Sequence, residues 1–196
     1  MSSKREVTTR GVVIGRAPSG EGSARVFLYT ESDGLVAALA RSGREERSKL
    51  RPHLQVGSVG SYTLVFGLRD TRVIGAVETN NILSILVTTP GAATAAARVM
   101  SVLRQLIYGE GVNEDLFQAL WHFLHALPNL SAEEVRTAER LAMVRILRAL
   151  GYVPRLAAIP HLDETQITPE TLKAVEGFER ELVVAINEGL AASGLL

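Results

Sequence analysis

The chain has 196 residues, with 21 Lys/Arg against 21 Asp/Glu, no Cys, 46% hydrophobic and 5% aromatic residues. That length suits one or two domains, the composition is globular rather than disordered, and zero Cys removes disulfides, thiolate zinc sites, iron–sulfur clusters and cysteine nucleophiles. A net charge of zero, taken over the whole chain, argues against a nucleic-acid partner.

Up to residue 80 the texture is β-branched, alternating and punctuated by glycine. Strands are predicted over 7–15, 24–30, 34–40, 56–66 and 72–79, with turns at 17–23, at Ser32-Asp33-Gly34 and at 67–70, and with Gly57 and Gly60 interrupting the fourth strand. Five short strands left as an open sheet would expose two edges, so closure into a small barrel is the better solution. Strand number and size suggest an OB-fold, with an SH3-like barrel as the other possibility on strand number alone.

Beyond residue 90 the apolar period becomes helical. A helix over 92–108 follows Pro90 and stops at Gly109; Asn113 caps a second over 114–127, apolar on most sides and therefore expected at the centre of a bundle. Ser131-Ala-Glu-Glu134 is a capping box opening a third helix that ends at Leu150–Gly151. After an irregular connector over 152–167, Thr168-Pro169 opens a last helix reaching about Ala192. The expectation is α+β: an N-terminal five-stranded OB-fold barrel (1–80) followed by an all-α helical domain (81–196).

The same division resolves the charge. Residues 1–80 hold 12 Lys/Arg and 8 Asp/Glu, a net +4; residues 81–196 hold 9 and 13, a net −4. The densest basic run, Arg41, Arg44, Arg47, Lys49 and Arg51, is interrupted by Glu45 and Glu46 and falls between the third and fourth strands, where it would project as one loop. Arg16 and Arg25 flank the first turn. Small barrels of this kind hold single strands with a positive groove for the backbone and aromatic faces for the bases. The rings available are Phe27, Tyr29, Tyr62 and Phe66; Phe27 and Tyr29, two apart, share a face, and the core is the expected place for both. Phosphate contacts then dominate, and five engaged cations give a log–log salt slope of about −3.5 on single strands.

Catalytic patterns are weak by comparison. Glu21 stands where a phosphate-binding glycine loop needs Lys, and no nucleophile elbow occurs. His122 and His125 lack a third ligand at helical spacing, and His161, Asp163 and Glu164 sit in a loop whose spacing specifies no metal geometry. No enzyme, cofactor or metal is expected. The polar start, Met1-Ser-Ser-Lys-Arg-Glu6, and the lack of any apolar run near about 20 residues imply a cytoplasmic protein with no membrane contact.

Several segments are also similar to a known family. Thr9-Arg-Gly-Val-Val-Ile14, Gly20-Glu-Gly22, Val26-Phe-Leu-Tyr-Thr30, Gly34-Leu-Val-Ala-Ala-Leu-Ala-Arg41 and above all Arg47-Ser-Lys-Leu-Arg-Pro-His-Leu-Gln55 resemble the RecO family of bacterial recombination mediators. Asn113-Glu-Asp-Leu-Phe117 and Leu147-Arg-Ala-Leu-Gly-Tyr152-Val-Pro154-Arg-Leu156 follow in the same order, so the resemblance spans about residues 5–157. It implies an OB-fold followed by a helical domain, binding of single- and double-stranded DNA, and annealing of complementary strands. Implied partners are RecR, the acidic C-terminal tail of single-strand-binding protein, docked in the helical domain, and indirectly RecA; the implied location is the nucleoid. Many members carry a four-Cys zinc module after the Leu-Gly-Tyr turn, whereas this chain has residues 157–168 there and a C-terminus short for the family. Glu45 and Glu46 depart from a more uniformly basic family segment, leaving a protein-interaction adaptor with weak DNA contact as the alternative.

Overall fold

The computed structural model describes residues 5–41, 48–68, 70–85, 89–107, 109, 111–154 and 159–195. Two compact units result, one from Met1–Leu83 with Ile107–Val112, the other from Ser84–Leu106 with Asn113–Leu196.

The first unit is a closed barrel of β1 (Arg5–Pro18), β2 (Ala24–Thr30), β3 (Gly34–Ala40), β4 (Ser58–Phe66) and β5 (Thr71–Asn81), ordered β1-β2-β3-β5-β4. β1 closes the ring by serving two neighbours: residues 5–12 pair with β4 and residues 11–18 with β2, across a register shift between Val13 and Gly15. All pairings are antiparallel except β3 with β5, which run parallel through Ala38–Thr71 and Leu39–Arg72. This five-stranded Greek-key barrel is the OB-fold. Val13, Val26, Leu28, Val36, Leu64 and Val73 fill its interior.

Two glycines explain local departures from the predicted strands. The fourth strand starts at Ser58 because Gly57, at φ +85, turns the chain; a Cβ there would lie 2.5 Å from Leu83 Cγ. At Gly60 a Cβ would lie 2.8 Å from Thr79 Cα, so only glycine allows the bulge between Val59 and Ser61. Between β3 and β4 the chain also forms an unpredicted 3-10 turn, Arg51–Leu54, with Pro52 in its first turn. Leu54 is fully buried within the barrel core, and the Tyr62 hydroxyl donates to the His53 carbonyl at 3.2 Å, so this turn plugs one end of the barrel.

A short helix, α1 (Ile82–Ile85), follows β5. The second unit contains α2 (Ala92–Leu106), α3 (Glu114–Ala126), α4 (Ala132–Ala149), α5 (Pro169–Val175) and α6 (Glu179–Ala192). Local signals set their starts: Asn113 accepts from Leu116 N–H, Ser131 and Glu134 form the reciprocal capping box, and Thr168 accepts from Thr171 N–H. The backbone hydrogen bond from Ser131 holds the Glu134 carboxyl below its ordinary 4.5.

Two expectations need correction. The bundle centre is α4 rather than α3: α4 packs on α2, α3, α5 and α6, its small Ala138 and Ala142 allowing close approach, while Gln118, Trp121 and His122 leave one side of α3 half-exposed. The last helix is not continuous; a 3-10 turn at Glu176–Phe178 separates α5 from α6, where Gly177 weakens helical propensity. Among the described residues no helix is long and apolar enough to cross a membrane.

Candidate nucleic-acid interface

Strand direction decides which side chains share a barrel end. β1 finishes, β2 begins and β3 finishes at one end, the end plugged by the Arg51–Leu54 turn. Arg16 lies near the end of β1, Arg25 near the start of β2, Arg41 directly after β3, and Lys49 and Arg51 at the plug. Arg44 and Arg47 lie outside the described residues.

Hydrogen bonds tie part of this set together. Arg16 Nη1 donates to Gln55 Oε1 at 3.1 Å, and Gln55 Nε2 donates to the Arg51 carbonyl at 2.8 Å. Arg16 and Arg51 thereby line one open cleft of about 350 Å³ with Ala17, Pro18 and Ala24. Arg25 is exposed, and its cross-strand neighbours Ala17 and Leu39 place it on the outer face of the barrel, since Ala24 and Val26 point inward. Arg41 and Lys49 are exposed and Arg51 is half-buried. Among the described residues, no carboxylate forms an ion pair with Arg25, Arg41, Lys49 or Arg51.

The opposite end carries cations too, but each has a carboxylate. Arg5 Nη2 lies 2.7 Å from Asp33 Oδ1, and Arg10 donates through Nε to Glu31 at 2.8 Å and through Nη2 to the other oxygen. Between the two ends Arg72, opposite Leu39 of β3, keeps its Nε 3.6 Å from Asp70. The hydrogen bond to Glu31 raises the Arg10 pKa above its ordinary value. Paired cations offer little field to a phosphate; the set without a carboxylate partner among the described residues offers a cluster of positive charge at one end of the barrel.

Of the two rings expected in the core, Tyr29 is buried and Phe27 is only half-buried. Val26 and Leu28 are the inward residues of β2, so Phe27 and Tyr29 occupy its other face; Tyr29 is nevertheless 1% exposed and Phe27 half-buried. Tyr62 is fully buried within the core. Burial raises the pKa of both tyrosines. Phe66 lies at the paired end with the Arg5 guanidinium 4.9 Å from its ring centroid.

In the helical unit the histidine clusters serve local contacts. His125 packs on Trp121 with centroids 4.3 Å apart and its Nδ1 2.8 Å from the Trp121 carbonyl. His161 Nδ1 lies 2.6 Å from Glu164, and Asp163 pairs with Arg148. Among the described residues no group of three or more His, Asp or Glu is placed to hold a metal.

A residue missed in the sequence organises that connector instead. Arg145, 5% exposed, donates through Nη1 to the carbonyls of Thr165 and Gln166, each at 3.2 Å, and through Nη2 to that of His161 at 2.7 Å. His161 adopts φ +58, rare for a non-glycine residue, and this guanidinium anchors its carbonyl. Burial pushes Arg145 down to about 10, so it stays a cation at neutral pH. The sequence signal was available: Arg145 stands among the apolar positions Leu141, Val144 and Ile146 of a helix.

Comparison with known proteins places both units. Residues 1–85 match the family model described as Recombination protein O N terminal, and residues 88–175 the one described as Recombination protein O C terminal. The chain is 26% identical over 156 residues to DNA repair protein RecO of Dehalococcoides mccartyi, covering 80% of this chain and 60% of the relative. It is 27% identical over 186 residues to the Chlorobium phaeobacteroides protein of that name, covering 93% and 69%. With the Actinobacillus succinogenes protein identity is 31% over 152 residues, covering 75% and 60%. The chain thus spans about 60–69% of the length of these relatives.

Proposed function

Because the chain belongs to the recombination protein O family, we propose that it serves DNA repair and homologous recombination as a non-catalytic mediator. In this reading it binds single- and double-stranded DNA through Arg16, Arg25, Arg41, Arg44, Arg47, Lys49 and Arg51 and anneals complementary strands. With RecR it helps RecA load on strands coated by single-strand-binding protein, whose acidic tail docks in the helical domain. The setting is the bacterial cytoplasm, at the nucleoid.

One observation carries the DNA part: Arg25, Arg41, Lys49 and Arg51, which have no carboxylate partner among the described residues, gather at one end of an OB barrel whose other end pairs Arg5 and Arg10 with Asp33 and Glu31. Two complementary strands repel through their phosphates, and cations that neutralise some of those charges lower the repulsion while base pairing supplies the specificity. No bond is made or broken, so annealing requires neither nucleophile nor metal.

The test is annealing of two labelled complementary strands, with and without the cognate single-strand-binding protein, by the full chain and by the Arg25→Glu/Arg41→Glu/Lys49→Glu/Arg51→Glu variant. Acceleration by the full chain and its loss in the variant support the reading. No acceleration at low salt overturns it. Weak DNA binding combined with retained capture of RecR or single-strand-binding protein would favour an adaptor, the reading that Glu45 and Glu46 within the basic run suggest.

A further inference from the structure

We propose that Phe27 is a base-stacking position, and that its ring is what lets this barrel distinguish a single strand from a duplex. This rests on the DNA-binding reading above and adds to it a contact that the cations cannot make.

The outer face of β2 carries Arg25, Phe27 and Tyr29, because Val26 and Leu28 point into the core. Exposure falls along that row: Arg25 is exposed, Phe27 half-buried and Tyr29 1% exposed. Phe27 therefore stands where the covered part of the face gives way to the open part. Its ladder neighbours are small. The register shift in β1 between Val13 and Gly15 brings Gly15, rather than Ile14, opposite Phe27, and the partner on the other side is Ala37, itself exposed. A glycine and an alanine do not rise far enough above the sheet to cover a phenyl ring between them.

Arg25 stands two residues along the same face, about 6.7 Å away on the strand, a length that one extended nucleotide spans. It has no carboxylate partner among the described residues. A strand whose phosphate lies on Arg25 can thus set the adjoining base on Phe27, the pairing of cation and ring by which small barrels hold single strands.

The two contacts select differently. Phosphates are exposed in single strands and duplexes alike, so the cations hold both. The face of a base inside a duplex is covered by the neighbouring pairs, so only a single strand can use Phe27. Pairing with a complement withdraws the base from the ring, and the annealed product loses a contact that the unpaired strand had.

The experiment measures, by fluorescence anisotropy at one salt concentration, binding of an oligothymidylate, a duplex and an abasic deoxyribose-phosphate oligomer of equal length. The proteins are the full chain, Phe27→Leu, which keeps an apolar side chain on β2, and Phe27→Tyr, which keeps the ring. Phe27→Leu should bind the oligothymidylate about fivefold or more weakly, the loss for one ring–base stack, and bind the duplex within about twofold of wild type. Phe27→Tyr should restore single-strand binding, and the wild type should bind the abasic oligomer about as weakly as Phe27→Leu binds the oligothymidylate. Unchanged oligothymidylate binding by Phe27→Leu overturns the proposal and leaves the DNA-binding reading standing. An equal loss on duplex and single strand, the mark of a structural role, overturns it too. If the wild type binds no oligomer at low salt, both fall. Permanganate oxidation supplies the second readout: a thymine lying on the ring is shielded, so wild type should protect the oligothymidylate and Phe27→Leu should not. Equal reactivity with and without wild type would overturn the proposal.

Discussion

Both ends of the barrel carry described cations, but only one end neutralises them. At one end Arg5 and Arg10 face Asp33 and Glu31 of the β2–β3 turn. At the other, Arg25, Arg41, Lys49 and Arg51 stand around a plug that presents no partner for them among the described residues. Counting charges cannot separate these cases, because a screened ion pair and an exposed cation contribute equally to composition and very differently to a phosphate.

The largest expected effect tests that asymmetry directly. Changing Arg25, Arg41, Lys49 and Arg51 together to Glu should weaken single-stranded DNA binding about a hundredfold or more in about 0.1 M salt, whereas changing Arg5 and Arg10 to Glu should cost less than about threefold, both read by anisotropy. Gln at the first four positions should make the log–log salt slope shallower by about 2.8. Similar losses at the two ends would dissolve the contrast.

Arg145 sharpens it from the other side, being a buried cation whose two terminal nitrogens are committed to backbone carbonyls. Arg145→Leu strands three connector carbonyls and should destabilise the helical unit by about 2–3 kcal/mol in chemical denaturation, with DNA affinity unchanged. A smaller effect is expected at the plug: Tyr62→Phe removes the hydroxyl donor to His53 and should cost about 1 kcal/mol of barrel stability. The smallest is the acid response of α4. The Glu134 carboxyl titrates below its ordinary 4.5 in the folded chain, so its contribution is present above that value and fades as pH falls through the lowered one. Thermal unfolding of Glu134→Gln should therefore fall less steeply than wild type between about pH 5 and pH 3.

What could be read from the sequence was what depends on neighbours in the chain. Asn113, Ser131 with Glu134, and Thr168 bond to backbone groups within three residues, and each announced its helix. The strands of the barrel followed from alternation and glycine spacing. The Arg51–Leu54 turn escaped notice because Arg-Pro-His-Leu has the composition of a loop and owes its shape to Leu54 entering the barrel. Pairs such as Arg10–Glu31, 21 residues apart, need the β1–β2 register before they can be seen, so the neutralised end was invisible while the basic run was conspicuous. Period two says that Phe27 and Tyr29 lie on one face, but not that burial divides them: Tyr29 is in the core as expected, and Phe27 is only half-buried.

The parallel ladder between β3 and β5 has a consequence for how the ring comes undone. It consists of two residue pairs, Ala38–Thr71 and Leu39–Arg72, whereas β1 with β4, β2 with β3, and β4 with β5 are joined along most of their lengths. A cylinder fastened so unevenly has a seam. Opening there would cost the fewest hydrogen bonds and leave two intact meanders, β1-β2-β3 and β4-β5, hinged on β1. Local breathing of this domain should therefore begin beside Arg41, where β3 ends, and leave the long β1–β4 ladder as the last to exchange its amides.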